Sequence, residues 1–194
     1  MAKRASPEVN AGSMADIAFL LLIFFLVTTT IETDSGLNRK LPPIEETTPP
    51  IIKQKNIFTV LLNGKDALLV EDELMELKDL RKAALEFLDN NGDGSCTYCN
   101  GKRNSDSSDN PSKAIISLKN ERETTYKTYI AVQNELVAAY NELRNKRAQS
   151  QYGQTFTEMQ ANYNDVNWPG NKERLKAKIE QIKLDYPQKL SEVQ

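Results

Sequence analysis

The chain of 194 residues contains no histidine. It therefore lacks the usual general base at neutral pH and the commonest metal ligand, and neither a Ser-His-Asp nor a Cys-His catalytic arrangement can be built from it. Its only cysteines, Cys96 and Cys99, cannot complete a tetrahedral zinc site without histidine. The composition thus argues against hydrolases and zinc enzymes, and we expect that the protein is not an enzyme.

An excess of positive charge is also missing. The 25 lysine and arginine residues face 27 acidic residues, which gives a formal net charge of -2. Proteins that bind nucleic acid usually carry a basic surface, and this composition does not provide one. We therefore expect no nucleic-acid partner.

Long apolar runs are absent except near the N-terminus, where residues 17–27 read IAFLLLIFFLV. With its flanking residues the stretch 14–31 has 18 positions. As a helix it would be about 27 Å long, close to the roughly 30 Å of a bilayer core. We predict a transmembrane helix over 14–31, preceded by a short head at 1–13.

Other interpretations of this stretch are weaker. A buried core helix would show a polar face, and residues 17–27 show none. A cleaved signal peptide fits the basic Lys3 and Arg4, but no small-x-small cleavage site follows the apolar run. A lipoprotein would need a cysteine directly after the run, and the sequence has none there. Lys3 and Arg4 slightly favour a cytoplasmic N-terminus, which leaves the rest of the chain across the membrane.

Asp16 is the one charged residue inside the predicted span. An aspartate at the centre of such a helix costs roughly 2.5–3.5 kcal/mol, and such residues usually mark proton or ion pathways. On a helix it shares a face with Leu20, Ile23, Val27 and Thr30 or Ile31. Apart from Thr30 this face offers no polar partner, so we expect another chain to supply polar groups or water. Because Asp16 lies near the start of the apolar run, a second role also fits: an acidic residue at the membrane interface, stabilised by the dipole at the N-terminus of the helix. Position alone leaves both roles open.

The residues around Asp16 resemble the N-terminal signature of the ExbD/TolR family of biopolymer-transport proteins. In that family a hydrophobic residue and an asparagine end a short cytoplasmic head, and the following span carries an aspartate in its first half. Here Val9 and Asn10 are followed, after five residues, by Asp16 and then by IAFLLLIFFLVT. The segment GLNRKLPP at 36–43 is similar to the family's Leu-Pro segment just outside the membrane.

The resemblance implies a function and a set of partners. Such proteins work with a polytopic ExbB-like protein, as a dimer of spans inside a pentamer, and pass proton-driven motion to a TonB-like protein that serves outer-membrane receptors. It implies that Asp16 carries protons and that Asn10 contacts a partner. It also implies a single-pass homodimer in the inner membrane, with its C-terminal domain in the periplasm. The alternative is a membrane-anchored periplasmic scaffold that binds peptidoglycan, as TolR-type proteins are expected to do.

After the span we predict a Pro-rich periplasmic linker at 32–55 and an α+β domain at 56–194. The pair Asn63-Gly64 predicts a hairpin turn between the first two strands. The predicted strands are 57–62, 67–70, 114–118 and, last, 188–193. The predicted helices run from Asp72 or Glu73 to Leu88, over 126–147 and over 172–184. The fold class is thus a single transmembrane helix plus a β-β-α-β-α domain similar to that of ExbD, with an extra C-terminal helix and a late strand.

An insertion rich in glycine, aspartate and asparagine, residues 89–112, separates the first predicted helix of this domain from its third strand. Asp89, Asn91 and Asp93 alternate as the opening ligands of an EF-hand calcium loop do, but position twelve is Asn100 instead of glutamate. A turn that binds no metal is therefore favoured over a calcium site, and we expect no other cofactor.

Cys96 and Cys99 form a Cys-x-x-Cys pair inside the insertion. A thioredoxin-like site would place the first cysteine at a helix N-terminus, whereas this pair lies among turn-forming residues. In an oxidising periplasm a structural disulfide is the ordinary interpretation. Free thiols come second, and a secreted thiol oxidoreductase or calcium module comes last.

Overall fold

A computed structural model describes residues 11–28 and 52–193 of the chain. The chain divides into two compact units, Met1–Thr48 and Pro49–Gln194. Asn10, most of the predicted head and most of the predicted linker lie outside the described residues.

The described part of the first unit is one helix, α1, at Ala11–Thr28. Leucine, alanine and methionine favour this conformation, and no proline interrupts it. Its large apolar side chains from Met14 to Phe25 are exposed, from 40% at Ile23 to 63% at Leu22. Within the described residues, no helix combines the length and the apolar content that are needed to cross a membrane.

The second unit is built around a mixed five-stranded sheet. Its strands, in chain order, are β1 Ile57–Leu62, β2 Leu68–Val70, β3 Glu73–Met75, β4 Ile115–Asn120 and β5 Leu190–Val193. Across the sheet the order is β3-β2-β1-β4-β5. The pairs β1–β2 and β2–β3 are antiparallel, whereas β4 is parallel to both β1 and β5. Parallel neighbours need long crossover connections, and the helices of this unit supply them.

The helices of this unit are α2 Leu77–Leu88, α3 Tyr126–Tyr152, α4 Phe156–Asn164 and α5 Lys172–Asp185. Side-chain oxygens cap three of them at the N-terminus, where backbone N–H groups lack helical partners. The capping residues are Thr125 for α3, Thr155 for α4 and Asn171 for α5. Gly153, at φ 69°, ends α3 in the left-handed conformation that glycine adopts readily.

The main core lies between the sheet and the helices α2 and α3. Alternate residues of β1, namely Phe58, Val60 and Leu62, are buried, as the two-residue period of a strand requires. A second apolar cluster joins the end of α3 to α4 and α5. Its buried members are Ala148, Phe156, Met159, Leu175, Ile179 and Ile182.

The predicted helix start at Asp72 or Glu73 is wrong. Glu71 and Asp72 have φ values of 50° and 67°, so they reverse the chain in a two-residue hairpin loop. Glu73–Met75 then pairs with β2 as strand β3, and α2 begins only at Leu77. The loop escaped prediction because it contains neither the glycine nor the asparagine that usually marks such a turn.

The α+β class and the late strand at the C-terminus are confirmed. The predicted strands correspond to β1, β2, β4 and β5, with bounds shifted by one or two residues at four of the eight ends. α3 continues past the predicted end at 147 to Tyr152. Phe156–Asn164 forms α4, to which no element was assigned from the sequence.

Replacing Asp72 by glycine is expected to stabilise the domain by about 0.5 kcal/mol, because glycine avoids the Cβ strain of a positive φ at some entropic cost. The side chain of Asp72 makes no hydrogen bond within the described residues. Urea unfolding of the full chain in detergent, followed by the fluorescence of Trp168, measures the change. Trp168 is the single tryptophan of the chain.

Asp66 provides the matched control for this substitution. It also has a positive φ, 61°, but its carboxylate accepts hydrogen bonds from the Thr125 backbone N–H at 2.8 Å and from the Thr125 hydroxyl at 3.0 Å. Asp66→Gly should therefore destabilise the domain by about 1 kcal/mol. A lower stability for Asp72→Gly as well would contradict the strain argument.

Candidate functional site

Asp16 lies in the second turn of α1, and its side chain is exposed. Leu20 and Ile23 follow at the spacing that places them on the same helix face, and both are exposed. Within the described residues no hydrogen bond or ion pair reaches the Asp16 carboxylate. Any polar partner that it uses must therefore come from outside this helix.

The insertion at 89–112 is held in place by asparagine side chains. Nδ2 of Asn90 donates to the carbonyls of Asn104 and Ser108, both at 2.8 Å, and its Oδ1 accepts from the Asn104 backbone N–H at 2.9 Å. Asn91 binds the backbone of Cys96 in the same two-way manner, at 2.8 and 2.9 Å. Buried backbone groups need such partners, so these amides substitute for regular secondary structure.

Asp109 is the electrostatic centre that ties the insertion to the sheet. Its side chain is only 2% exposed and forms an ion pair with Lys55. Two further lysines lie close to Oδ2 of Asp109, with Nζ of Lys53 at 3.6 Å and Nζ of Lys113 at 4.0 Å. The hydrogen bond from Lys55 holds the pKa of Asp109 below its ordinary value, against the opposing effect of burial. Asn56 completes the site by donating to Asp109 Oδ2 at 3.3 Å and accepting from its backbone N–H at 2.8 Å.

The three residues predicted as calcium ligands each have other partners. Asp89 accepts from the Asn100 backbone N–H at 3.1 Å and from the Tyr186 hydroxyl at 2.8 Å, while Asn91 binds Cys96. Among the described residues no group of three or more acidic, cysteine or histidine side chains could hold a metal ion. Calcium binding at Asp89, Asn91 and Asp93 stays the less favoured hypothesis, and these hydrogen bonds do not support it.

Asp93, the third of these residues, is committed to a cation. It accepts from Lys113 Nζ at 2.8 Å and from the hydroxyl and backbone N–H of Ser95 at 2.6 and 2.9 Å. These bonds, chiefly the one from Lys113, hold the pKa of Asp93 far below its ordinary value. A carboxylate that already neutralises a lysine is a poorer ligand for calcium.

Cys96 and Cys99 are joined by a disulfide, and neither lies at a helix N-terminus. The geometry that lowers the pKa of a thioredoxin-like cysteine is therefore missing at both positions. Between them, Tyr98 packs edge-on against Tyr186, with ring centroids 5.4 Å apart. Burial raises the pKa of both tyrosines, so their hydroxyls stay protonated and donate hydrogen bonds.

The sequence did not reveal the cluster around Asp109. Lys53 and Lys55 fell in the predicted linker, although they pair with a residue more than fifty positions later. The alternating Lys53 and Lys55 directly before a strand were the available signal. Nothing in the sequence paired them with one particular aspartate among those of the insertion.

Together the two units define a class of protein, in which a small α+β domain follows an apolar helix that carries one acidic residue. The chain belongs to the ExbD/TolR family: the family model for the biopolymer transport protein ExbD/TolR matches residues 2–148. The match includes Asp16, the strands β1 to β4 and most of α3, and it ends before α4, α5 and β5. No curated protein matches the chain at a significant level.

Membership of this family assigns the chain to the energisation of biopolymer transport in general. Proteins of the family work with ExbB- or TolQ-like and with TonB- or TolA-like partners. They are energising proteins and are not known as enzymes.

Proposed function

We propose that the chain is the subunit of an inner-membrane ExbB–ExbD-type motor that converts proton motive force into work for TonB-dependent transport across the outer membrane. The observation that carries this proposal is the family match over residues 2–148, which contains the segment around Asp16. The alternative is a TolR-type scaffold anchored to the membrane that binds peptidoglycan, in which Asp16 would be incidental.

In the proposed mechanism Asp16 takes up a proton from one side of the membrane and releases it to the other. One charge that crosses 100 mV releases roughly 2.3 kcal/mol, so a few protons can bias a conformational change. Leu20 and Ile23 offer no polar contact on the same face of α1, so the proton path runs between this helix and a partner. Asn10, in the proposed head, contacts that partner.

The proposed topology places residues 1–13 in the cytoplasm, 14–31 in the inner membrane and 32–194 in the periplasm. α1 covers the first part of this span, up to Thr28, and residues 29–31 lie outside the described residues. The exposed apolar side chains from Met14 to Phe25 support the placement, because apolar surface gains about 25 cal/mol per Å² when it leaves water. The proposed partners are an ExbB-like polytopic protein, a TonB-like protein and a second copy of the chain.

Co-expression with a tagged ExbB-like protein tests the central claim of the proposal. The full chain is expected to co-purify with that protein from detergent extracts, because its span supplies the contact. The fragment 32–194, which lacks the span, should be lost in the wash and serves as the control. Equal recovery of the full chain and the fragment, or of neither, would contradict the proposed assembly.

A further inference from the structure

The disulfide ring lies against the two residues at which α5 ends, Asp185 and Tyr186. The hydroxyl of Tyr98, a residue inside the ring, donates to the carbonyl oxygen of Asp185 at 2.7 Å. The ring of Tyr98 also packs on that of Tyr186, and the Arg147 guanidinium lies 4.4 Å above the Tyr98 centroid. Arg147 in turn donates to Asp185 Oδ2 at 2.7 Å. Tyr98 is thus the contact by which the disulfide ring holds the end of α5.

Asp185 and Tyr186 set the position of the last strand of the sheet. Arg144 donates twice to the Tyr186 carbonyl, at 3.0 and 2.8 Å. Three residues after Tyr186, the carbonyl of Lys189 accepts from the Ile116 backbone N–H at 2.9 Å. From there β5 runs parallel to β4, which is its one neighbour in the described sheet. Because β5 has only four residues, the point at which the chain leaves α5 contributes to its seating. The hydrogen bonds from Gln133 to Glu192 and from Tyr140 to the Lys189 carbonyl contribute as well.

Both flanks of the disulfide ring are fixed independently of the disulfide. On one side Cys96 is bound by the side chain of Asn91, and on the other side Asp89 accepts from the backbone N–H groups of Asn100 and Gly101. Breaking the disulfide would therefore release the two residues between the cysteines, Thr97 and Tyr98, and leave the remainder of the insertion in place. The effect would pass to Asp185 through Tyr98.

The two cysteines differ in their exposure to solvent. Cys99 is buried, with 7% of its surface exposed, whereas Cys96 is only partly buried. Thiol–disulfide exchange begins with attack by a thiolate on an accessible sulfur. Cys96, the more exposed of the two residues, is therefore the expected point of attack.

We propose that the Cys96–Cys99 disulfide is a redox-modification site whose state controls how firmly β5 is seated on the sheet. The reductant is a dithiol protein of the thioredoxin type. Its thiolate attacks Cys96 Sγ and forms a mixed disulfide, and Cys99 leaves as a thiolate that takes up a proton. The second thiol of the reductant then displaces Cys96, so that two electrons and two protons reach the pair and the reductant becomes a disulfide.

This site lies beside the C-terminal elements that the family match does not include. Asp16 belongs to the other unit of the chain. We expect the domain to stay folded on reduction, because neither cysteine belongs to the apolar cluster between the sheet and α2 and α3. Reduction weakens the anchor of one edge strand.

Hydrogen–deuterium exchange by mass spectrometry on the full chain in detergent tests the proposal, with and without dithiothreitol. Intact mass confirms that the disulfide is present before treatment and gone after it. Reduction is expected to speed exchange roughly tenfold in residues 186–193, because it favours local opening of this segment. The same increase is expected in β4, where the Ile116 N–H donates to the Lys189 carbonyl. The β1–β2 hairpin should be unchanged.

Three variants isolate the pathway. Cys96→Ser combined with Cys99→Ser should reproduce the reduced state without dithiothreitol. Tyr98→Phe keeps the aromatic ring but removes the hydroxyl that donates to the Asp185 carbonyl. Part of the increase in exchange should therefore already occur in the oxidised form of this variant. Thr97 lies in the same disulfide ring but makes no hydrogen bond to Asp185 within the described residues. The exchange of Thr97→Ala should therefore match that of the wild type.

Two results would overturn the proposal. Unchanged exchange in 186–193 after complete reduction would mean that β5 is seated without the disulfide. Faster exchange throughout the sheet, including β1 and β2, would mean that the disulfide stabilises the whole domain and acts on no particular strand.

Discussion

Asp16→Asn is expected to reduce proton-driven activity to background while leaving insertion and assembly intact. Asparagine has nearly the same size and polarity as aspartate but cannot release and take up a proton. In the proposed motor this residue carries every proton, so the loss should be at least about a hundredfold, the scale found when an essential proton-transfer group is removed. The measurement is proton influx into liposomes that contain the chain with its ExbB-like partner, followed with a pH-sensitive dye.

Two comparisons make this result interpretable. Asp16→Glu keeps the carboxyl group and should retain a measurable fraction of the flux. Co-purification of Asp16→Asn with the ExbB-like protein should match that of the wild type, which would exclude a failure of assembly. Full flux through Asp16→Asn would remove the proton-carrying role and would favour the TolR-type scaffold, in which this residue is incidental.

The elements that the sequence predicted well are those with a strong local pattern. β1 has a two-residue burial period, so the strand was readable, and Asn63-Gly64 correctly indicated a hairpin after it. The loop is longer than that pair, over residues 63–67, and its positive φ lies at Asp66. α3 has apolar residues at helical spacing over many turns, and only its end was placed too early. The local pattern identifies such segments in the sequence, although β1 still needs its distant partner β4 in the folded sheet.

The elements that were missed depend on conformations or contacts that are not local. The loop at Glu71 and Asp72 uses positive φ values without glycine, and Glu71 is held there partly by its own carboxylate, which accepts from the Thr59 backbone N–H at 2.6 Å. α4 is short, and only Phe156 and Met159 are buried in it, too few to make a periodic pattern. Its sequence signal was the Thr155–Glu158 capping box.

The Cys96–Cys99 pair and the Asp109 cluster differ in the same way. Two cysteines three positions apart suggest a disulfide directly, since the separation is visible in the sequence. Asp109 is bound by Lys53, Lys55 and Asn56, which precede β1 and lie far from it along the chain. Only the folded sheet brings the start of β1 beside the end of the insertion. Pairings of this kind follow from topology and have no short-range signature.

Asp109→Asn is expected to lower the free energy of unfolding by about 3 kcal/mol, because it removes one partner of a buried ion pair. Asparagine has the shape of aspartate, but Lys55 would lose its counter-charge, and its own side chain is only 29% exposed. Urea unfolding of the full chain, followed by Trp168 fluorescence, measures the loss. Asp106→Asn, at an exposed acid of the same insertion, is the control and should change stability by no more than about 0.5 kcal/mol.

The stability of the wild type and of Asp109→Asn, measured as a function of pH, separates the contribution of the Asp109 charge from that of its packing. Since the folded pKa of Asp109 is lowered, its carboxylate stabilises the fold above the unfolded pKa of about 3.9, and this contribution is lost as the pH falls through the folded value. The gap in stability between the wild type and Asp109→Asn should therefore be constant above about pH 5 and narrow below about pH 4. A gap that stays constant to lower pH would assign the loss to altered hydrogen bonding with Asn56. A gap that is absent at neutral pH would mean that the lysines around Asp109 do not anchor the insertion.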